Sequence, residues 1–387
     1  MAIQKLYTVG GNLATLYNGA TALQYYDPDG YYILYNTTSE SAAKSESGNY
    51  SSAFTARRPP FSSSTYYTDL RVIRDNAITA RYMFANNISL TGLPDNCFNN
   101  VTDASYMFRN CEALEKLGDN CFAKVENVSD MFDNCKSLTS LGENTFSNAV
   151  YGANSLFDSS LKLVYIADNS FNKLTGAMSI LGTLSAIPAN SFNSITTAWH
   201  SYPNNALQII KKDSFNSLQN YFSLDYYHAL HTIESGCFSA ITTAMITYCS
   251  ALSSMQSKFE NATLARFWGC SSLSSIPNGS FNKVTDAKVM FDRCSSLTSI
   301  PDDSLTGVLY ADAMFRGCTN LQHIPSAAID NAISISACFS GCSNMTGYVI
   351  PWIAAHHAQV TSYYHCFAGC TSLNDYTQAN SMYPAWF

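Results

Sequence analysis

Thirteen cysteines are the residues with the most chemistry to offer, and their spacing decides what that chemistry is. Cys338 with Cys342 and Cys366 with Cys370 form two C-x-x-x-C pairs, which suit either one tetrahedral zinc ion or disulfides. The alternative is a ladder of reduced thiols that pack as small apolar groups. The pattern favours the buried ladder, and no metal or other cofactor is expected, because one position of a repeat carries eight of the cysteines: Cys111, Cys135, Cys249, Cys270, Cys294, Cys318, Cys342 and Cys370.

Catalytic groups were sought among the seven histidines and the recurring aspartates. No histidine has a partner at a spacing typical of a metal site or a catalytic pair, and no phosphate-binding or nucleophile motif occurs. Asp103, Asp130, Asp286 and Asp312 recur as the carboxylates of a polysaccharide-degrading solenoid would, but each stands where an aspartate caps a turn. The sequence therefore predicts a non-enzymatic protein, with a solenoid polysaccharide-degrading enzyme as the least favoured alternative.

Aromatic residues are the better candidates for binding, because tyrosine and tryptophan offer rigid contact area with a polar tip. One group interrupts the repeat and either binds a ligand or fills the local core: Trp199, His200, Tyr202, Tyr226, Tyr227 and His228. A second group lies near the N-terminus and is a candidate for attachment or self-association: Tyr25, Tyr26, Tyr31 and Tyr32.

A repeat of about 24 residues must position all of these side chains. Its first phenylalanine recurs at Phe84, Phe108, Phe132, Phe157, Phe267, Phe291, Phe315, Phe339 and Phe367, and a second phenylalanine ladder runs from Phe98 to Phe281. Such a period indicates a solenoid, whose coils bury their apolar faces only against neighbouring coils. We expect about a dozen coils over residues 77–376, with a degenerate pattern over residues 178–263.

Each coil contains a short helical turn and one short parallel strand. In the copy beginning Val101-Thr102-Asp103, a turn carries Met107 and Phe108 to the core. Leu-x-x-Leu or Leu-x-x-Ile then predicts the strand. The residue before the cysteine is Asn or Gly in most copies, which permits a left-handed end to the turn, and Arg293 is predicted to end its turn differently.

Two flanking segments do not carry the repeat. Residues 1–76 are rich in tyrosine, and residues 23–35 resemble a hairpin around an Asp-Pro-Asp-Gly turn, so we expect a small β-rich unit with a Ser-rich arm that docks to a larger assembly or to itself. Residues 377–387 end in Met-Tyr-Pro-Ala-Trp-Phe and are expected to form an aromatic cap on the last coil.

The segments 101–114 and 284–301 resemble the BspA-like leucine-rich repeats, whose unit is close to Val-Thr-x-Met-x-x-Met-Phe-x-x-Cys-x-x-Leu-x-x-Leu. The resemblance covers roughly residues 77–376. It implies a leucine-rich-repeat solenoid without catalytic residues, used for adhesion to host proteins, glycans or other cells.

Charge and hydropathy limit the partners. The chain has 28 acidic and 21 basic residues and no large basic cluster, which argues against nucleic acid. No run of 18 apolar residues predicts a membrane span, and residues 1–11 lack the features of a secretory signal. We therefore expect a virion-associated fibre, spike or capsid-surface protein that presents its solenoid to a cell-surface glycan or protein, with a secreted bacterial surface adhesin as the alternative.

Overall fold

The structure is a computed structural model in which two compact units are distinguished. Unit 1 comprises residues 1–184 and 190–195, and unit 2 comprises residues 185–189 and 196–387. The model describes the backbone alone at residues 6–7, 13–14, 16–18, 21–23 and 198–200, and backbone and side chains at residues 80–81, 84–86, 88, 90–93, 95, 98–152, 156–157, 162–175, 183–196 and 206–387.

The described part of residues 1–76 consists of four short strands. Strand β1 (Leu6–Tyr7) pairs with β2 (Leu13–Ala14), and β3 (Leu16–Asn18) pairs with β4 (Thr21–Leu23), both antiparallel. The hairpin proposed for residues 23–35, the tyrosines Tyr25, Tyr26, Tyr31 and Tyr32, and the boundary at residue 76 lie outside the described residues. The attachment unit therefore stays a prediction.

Stacked coils make up the rest of unit 1. Strand β5 (Ser140–Leu141) pairs in parallel with β6 (Tyr165–Ile166), and the same ladder continues backward as single bridges from Ser140 to Lys116 and Gly92. The inward residues Leu141 and Ile166 are buried, as the Leu-x-x-Leu pattern predicts.

Unit 2 contains two four-stranded parallel sheets. The predicted strand of each coil forms the sheet β7 (Ala186–Ile187), β9 (Ile209–Ile210), β11 (Thr232–Ile233) and β13 (Ser254–Met255). A second sheet, which the repeat pattern did not reveal, is formed by β8 (Ala198–His200), β10 (Tyr221–Asp225), β12 (Thr243–Thr247) and β14 (Leu264–Arg266). Elsewhere this second ladder is reduced to single bridges such as Asp286 to Tyr310.

Helices in the described residues are short and lie toward the end of unit 2. They are α1 (Ser326–Ile329), α2 (Ile350–His356) and α3 (Tyr376–Met382), followed by a 3-10 turn at Pro384–Trp386. Trp386 is buried, its carbonyl accepts the Phe367 N–H at 2.7 Å, and its ring stacks on Tyr363 at 4.4 Å.

The short helical turns of the coils are successive i to i+3 turns. Met107 N–H donates to Ala104 C=O at 3.1 Å and Cys111 N–H to Phe108 C=O at 2.9 Å. Phe108 N–H, between them, donates instead to Met131 C=O of the next coil at 3.0 Å. Successive N–H groups therefore alternate between an acceptor in the same coil and an acceptor in the next coil. Because every second N–H is bonded to the next coil, the turns do not extend into an α-helix.

Ladders of identical side chains fill the core. Phe108 stacks on Phe132 at 5.7 Å in unit 1, and Phe291 stacks on Phe315 at 5.8 Å in unit 2, with interplanar angles of 8° and 6°. Because one ring per coil meets its copies above and below, the apolar face is buried only by stacking.

Left-handed backbone recurs at several positions of the repeat, among them the position before the cysteine and the second phenylalanine. Asn110, Asn134, Gly317 and Gly341 before the cysteine have φ between 59° and 81°, as predicted. The prediction for Arg293 is wrong, since its φ of 61° matches its neighbours and its N–H donates to Arg316 C=O at 2.7 Å. The bond to the next coil therefore outweighs the residue's own preference. The second phenylalanine ladder is left-handed as well, and the sequence did not indicate this: Phe122, Phe146, Phe171, Phe192, Phe215, Phe238 and Phe281.

Candidate recognition surface

Three aromatic side chains of consecutive coils stack on one another in unit 2. The rings of Tyr226 and Tyr248 are parallel, with centroids 4.7 Å apart and an interplanar angle of 7°. Trp268 follows at 5.1 Å from Tyr248, tilted by 43°. We call Tyr226, Tyr248 and Trp268 the aromatic ladder. Its outer member, Tyr226, is 49% exposed.

The backbone explains why these rings leave the core. Tyr226 and Tyr248 occupy the position before the repeat cysteine and adopt φ values of 65° and 53°. Their amides donate to Thr247 C=O at 2.9 Å and Trp268 C=O at 2.7 Å, which continues the bonding between coils. The next coil has Gly269 at this position, and a Cβ there would approach the Tyr248 ring to 2.7 Å. Glycine thus leaves room for the stack.

Polar groups border the aromatic ladder. The carboxylate of Asp225 accepts hydrogen bonds from Ser223 Oγ at 2.9 Å and from Thr247 Oγ1. The exposed ring of His228 lies 6.2 Å from that of Tyr226 at 68°, and its Nδ1 is 3.1 Å from Ser250 Oγ. These contacts hold the Asp225 carboxylate and the His228 imidazole in place, as a preformed binding surface requires.

Arg266 lies on the outward side of β14. Its Nη1 donates to Ala265 C=O at 3.0 Å and Asp286 C=O at 3.1 Å, and Nη2 is 3.7 Å from Asp286 Oδ1. Burial lowers the pKa of Arg266, while the Asp286 carboxylate opposes that shift. The guanidinium is therefore engaged by the backbone.

The structure separates the aromatic residues singled out in the sequence. Tyr226 and His228 are exposed, whereas Tyr227 is 1% exposed, so the assignment of Tyr227 to a binding surface is corrected. Tyr227 takes the repeat position of the cysteines, whose side chains point into the core. Trp199 and His200 lie in β8, paired with Phe222 and Ser223, with only their backbone described, and Tyr202 is outside the described residues.

Sequence reasoning missed Tyr248 and Trp268. The signal was available, because Tyr248 directly precedes Cys249 and Trp268 lies two residues before Cys270. Aligning these coils on the cysteine, rather than on Met-Phe, places both aromatics beside Tyr226.

The cysteines form the predicted ladder of buried thiols. The twelve described cysteines are buried and form no disulfide with one another. In the regular coils each thiol donates to a phenylalanine carbonyl of the preceding coil, as Cys135 does to Phe108 at 3.1 Å and Cys294 to Phe267 at 3.1 Å. Burial raises the pKa of Cys135 and Cys237 to about 12. A thiol that stays protonated is neither a nucleophile nor a metal ligand.

The two C-x-x-x-C pairs belong to the same ladder. Cys342 donates to Phe315 C=O at 3.1 Å and Cys370 to Phe339 C=O at 3.0 Å. Burial raises the pKa of Cys338 and Cys366. Within the described residues, no group of three or more His, Cys, Asp or Glu has the geometry of a metal site, so the zinc alternative finds no support.

The recurring aspartates serve the turns. Asp103 Oδ1 accepts Ser105 N–H at 2.9 Å, Asp286 Oδ1 accepts Lys288 N–H at 3.0 Å, and Asp312 Oδ1 accepts Ser336 N–H at 2.9 Å. Asp103 and Asp286 each satisfy a backbone donor two residues on, which is the capping role expected of an aspartate there, whereas Asp312 accepts from a backbone donor of the following coil.

Comparison with known families agrees with this repeat. A model described as the BspA type leucine rich repeat region matches residues 164–288 and 287–383 in six copies, which is more than half of the chain. The chain belongs to the BspA-type leucine-rich repeat family. Residues 74–163 match a second model, described as a Mycoplasma protein of unknown function. BspA-type proteins are leucine-rich repeat surface proteins and are generally non-enzymatic.

Several solved structures are similar to this chain. A leucine-rich repeat protein from Bacteroides ovatus is 16% identical, with 73% of this chain and 87% of that chain covered and a TM-score of 0.33. A leucine-rich cell surface protein from Faecalibacterium prausnitzii is 18% identical, with 71% and 84% covered and a TM-score of 0.23. The Toll–Spatzle complex from Drosophila is 13% identical, with 72% and 38% covered and a TM-score of 0.28. A search of curated proteins found no match.

Membrane-spanning segments were sought among the helices of the described residues. None of those BspA-type helices is long and apolar enough to cross a bilayer.

Proposed function

We propose that this BspA-type chain is a non-enzymatic recognition protein that binds a cell-surface glycan or protein through the aromatic ladder of unit 2. The observation that carries the proposal is the stacking of Tyr226, Tyr248 and Trp268 outside the core. Tyr226 and Tyr248 occupy the position where most regular coils carry glycine or asparagine, and Trp268 precedes Gly269 at that position. An exposed aromatic stack adds nothing that the core needs, because the core position of the same coil is filled by Tyr227.

The energetics of the ladder suit recognition. Aromatic side chains dominate binding energy at interfaces, and a side chain already held in place loses little conformational entropy on binding. Stacking between coils holds Tyr248 against a ring on each side, and φ values in the left-handed region fix where Tyr226 and Tyr248 leave the backbone. The surface is therefore preorganised.

A cell-binding assay tests this proposal. The whole chain, coated on fluorescent beads, is incubated with a panel of bacterial and epithelial cells, and bound beads are counted. The variant Tyr226→Ala/Tyr248→Ala should lose most of the binding. The matched control Tyr151→Ala/Tyr165→Ala removes two tyrosines of unit 1 that are 59% and 45% exposed, and it should bind normally. Equal binding by both variants would exclude the aromatic ladder as the contact.

The location of the protein is a further part of the proposal. Display on a virion, as a fibre, spike or capsid-surface protein, was the expectation from the sequence, and display on a bacterial cell as an adhesin fits the BspA-type family. Mass spectrometry of purified virions, of the cell-surface fraction and of the secreted fraction separates the two. Detection in washed virions supports the first, and detection only in the other fractions supports the second.

Residues 1–76 are proposed to dock the chain to a larger assembly or to a second copy. The support is the tyrosine-rich sequence with Tyr25, Tyr26, Tyr31 and Tyr32. Deletion of residues 1–76 should abolish incorporation into the particle or the cell surface, while beads coated with the truncated chain should still bind to cells. Normal incorporation of the truncated chain would refute this role.

A further inference from the structure

The end of the aromatic ladder differs from its middle. Tyr248 lies between the rings of the two neighbouring coils, at 4.7 Å from Tyr226 and 5.1 Å from Trp268, so its faces are covered. Among the described residues, Tyr226 stacks on one ring, that of Tyr248, and its other aromatic contact is the ring of His228 at 6.2 Å and 68°. With 49% of its surface exposed, Tyr226 offers an aromatic face to a ligand.

Hydrogen-bonding residues adjoin Tyr226 in the sequence. Asp225, the preceding residue, has both carboxylate oxygens anchored by Ser223 Oγ and Thr247 Oγ1, and each oxygen retains acceptor capacity. His228 uses Nδ1 toward Ser250 Oγ at 3.1 Å, and its Nε2 has no partner within the described part of the chain. The exposed ring of Tyr226 is thus accompanied by an acceptor at the preceding residue and by the imidazole of His228, whose ring centroid is 6.2 Å away.

We propose that Tyr226 is the stacking platform of a sugar-binding site and that the ligand is a neutral pyranose of a surface glycan. This inference rests on the proposed function and specifies its ligand. One face of a pyranose presents C–H groups that pack on an aromatic ring, while its rim presents hydroxyls that bond to Asp225 and His228. The Asp225 carboxylate and the net charge of −7 select against an acidic sugar.

The other two rings act as the support of this platform. Tyr248 and Trp268 cannot stack on the sugar themselves, but they hold Tyr226 in place before the ligand arrives. Because the Tyr226 side chain is already ordered in the folded protein, it loses little conformational entropy when a ligand binds. Most of the stacking energy with the sugar then contributes to affinity. This division predicts a graded response to substitution along the ladder.

The test uses the whole chain and defined probes. Methyl glycosides of glucose, galactose, mannose and N-acetylglucosamine are examined by saturation-transfer NMR, and an array of immobilised neutral and acidic oligosaccharides gives relative affinities. Wild-type protein should saturate the ring C–H protons of at least one neutral glycoside. Tyr226→Ala should weaken binding about tenfold, as expected for loss of one stacking contact of about 1.4 kcal/mol.

Three further variants make the test specific. Tyr226→Phe keeps the ring and should retain affinity for the glycoside within about threefold. Tyr248→Ala removes the supporting ring, and its affinity should lie between those of Tyr226→Phe and Tyr226→Ala. Tyr165→Ala, a 45% exposed tyrosine of unit 1, should bind as the wild type does. Unchanged binding by Tyr226→Ala, or preference for acidic sugars, would overturn the inference.

Failure of this inference can be told apart from failure of the proposed function. If the chain binds cells through the aromatic ladder but binds no sugar of either probe set, the glycan inference is refuted and a protein partner remains. If the chain binds neither cells nor sugars, both are refuted.

Discussion

Unit 2 contains regular coils, in residues 284–345, and aromatic coils, in residues 198–268. The two kinds of coil follow the same backbone course but carry different side chains on it. In residues 284–345 the second ladder consists of single bridges, the position before the cysteine carries Arg293, Gly317 or Gly341, and thiols line the core. In residues 198–268 the same ladder widens to strands of up to five residues, Tyr226 and Tyr248 precede the core position, and Tyr227 replaces one thiol. The comparison teaches that aromatic side chains can be added at an outward position without altering the stacking that holds the coil.

Alkaline pH should affect the regular coils most. The folded-state pKa of their buried thiols is raised, so the folded protein keeps protons that the unfolded chain loses above about pH 8.5. The free energy of unfolding therefore falls as pH rises, by roughly 1.4 kcal/mol per pH unit for each such thiol, up to the folded-state pKa, which is about 12 for Cys135 in a regular coil of unit 1. Urea denaturation at pH 7.5 and 9.5 measures this loss, and hydrogen exchange should show residues 284–345 opening before residues 221–227.

A control for the pH effect is available in the cysteines themselves. Replacing Cys294 and Cys318 with serine keeps a donor toward Phe267 C=O and Phe291 C=O but removes the group that titrates. The variant should have a flatter dependence on pH between 7.5 and 9.5. Equal slopes in the variant and the wild type would contradict this account of the thiols.

Replacing Tyr226 or Tyr227 by alanine should lower the free energy of unfolding by different amounts, because one side chain is on the surface and the other is in the core. Tyr227→Ala removes a side chain that is 1% exposed and should cost about 3–5 kcal/mol of unfolding free energy, as for other buried aromatics. Tyr226→Ala removes a surface stack and should cost about 1 kcal/mol or less. Urea denaturation of both variants gives the comparison, and similar losses would mean that Tyr226 belongs to the core after all.

Two ion pairs at the same repeat spacing should differ in strength. Arg316 binds the fully buried carboxylate of Asp292 with two bonds of 2.9 and 2.7 Å, and the bonds to Asp292 raise the pKa of Arg316. Arg109 binds Asp133 through one bond of 2.9 Å, and both partners are partly exposed. Arg316→Ala should cost about 3 kcal/mol because it leaves a buried charge unpaired, whereas Arg109→Ala should cost below about 1 kcal/mol. Thermal unfolding in low and high salt checks both values.

Glycine at position 293 should stabilise the chain slightly. Arg293 adopts a φ of 61° where Gly317 and Gly341 stand in the following coils. Arg293→Gly relieves the left-handed strain of about 1–2 kcal/mol but adds freedom to the unfolded state, so the net gain should be under about 1 kcal/mol. A lower melting temperature of this variant would show that the Arg293 side chain makes a favourable contribution larger than the strain.

The amino-acid pattern predicts the coils well because each coil repeats the same apolar positions. Phe108, Cys111 and Leu138 stand where the pattern placed them, in the core. The left-handed φ of Phe122 and the strand at Tyr221–Asp225 could not be read from residue type, since both follow from hydrogen bonds between coils. Phenylalanine has no preference for φ of 59°, and the ladder imposes it.

The candidate surface was harder to predict than the fold. Tyr226 and Tyr227 are chemically identical and adjacent, and only the register of the coil sends one outward and the other inward. Amino-acid composition does not show which residue occupies which position of the repeat. Alignment of the coils on Cys249 and Cys270 does show it. Tyr227 replaces the cysteine that marks the register in other coils, so the register is ambiguous there and the candidate residues beside it are easily misassigned.

The asparagine bonds of unit 1 bear on how such a protein changes through evolution. Asn110 Nδ2 donates to Asn86 Oδ1 at 2.8 Å and Asn134 Nδ2 to Asn110 Oδ1 at 3.0 Å, each across 24 residues. Loss of 24 consecutive codons between Phe98 and Phe122 would set Asn134 against Asn86 and the Cys135 thiol against the Phe84 carbonyl, the bonds that Asn110 and Cys111 make now. Unequal recombination within the gene can therefore shorten or lengthen the stack by whole coils. The newly adjacent coils would form the same hydrogen bonds that adjacent coils form now.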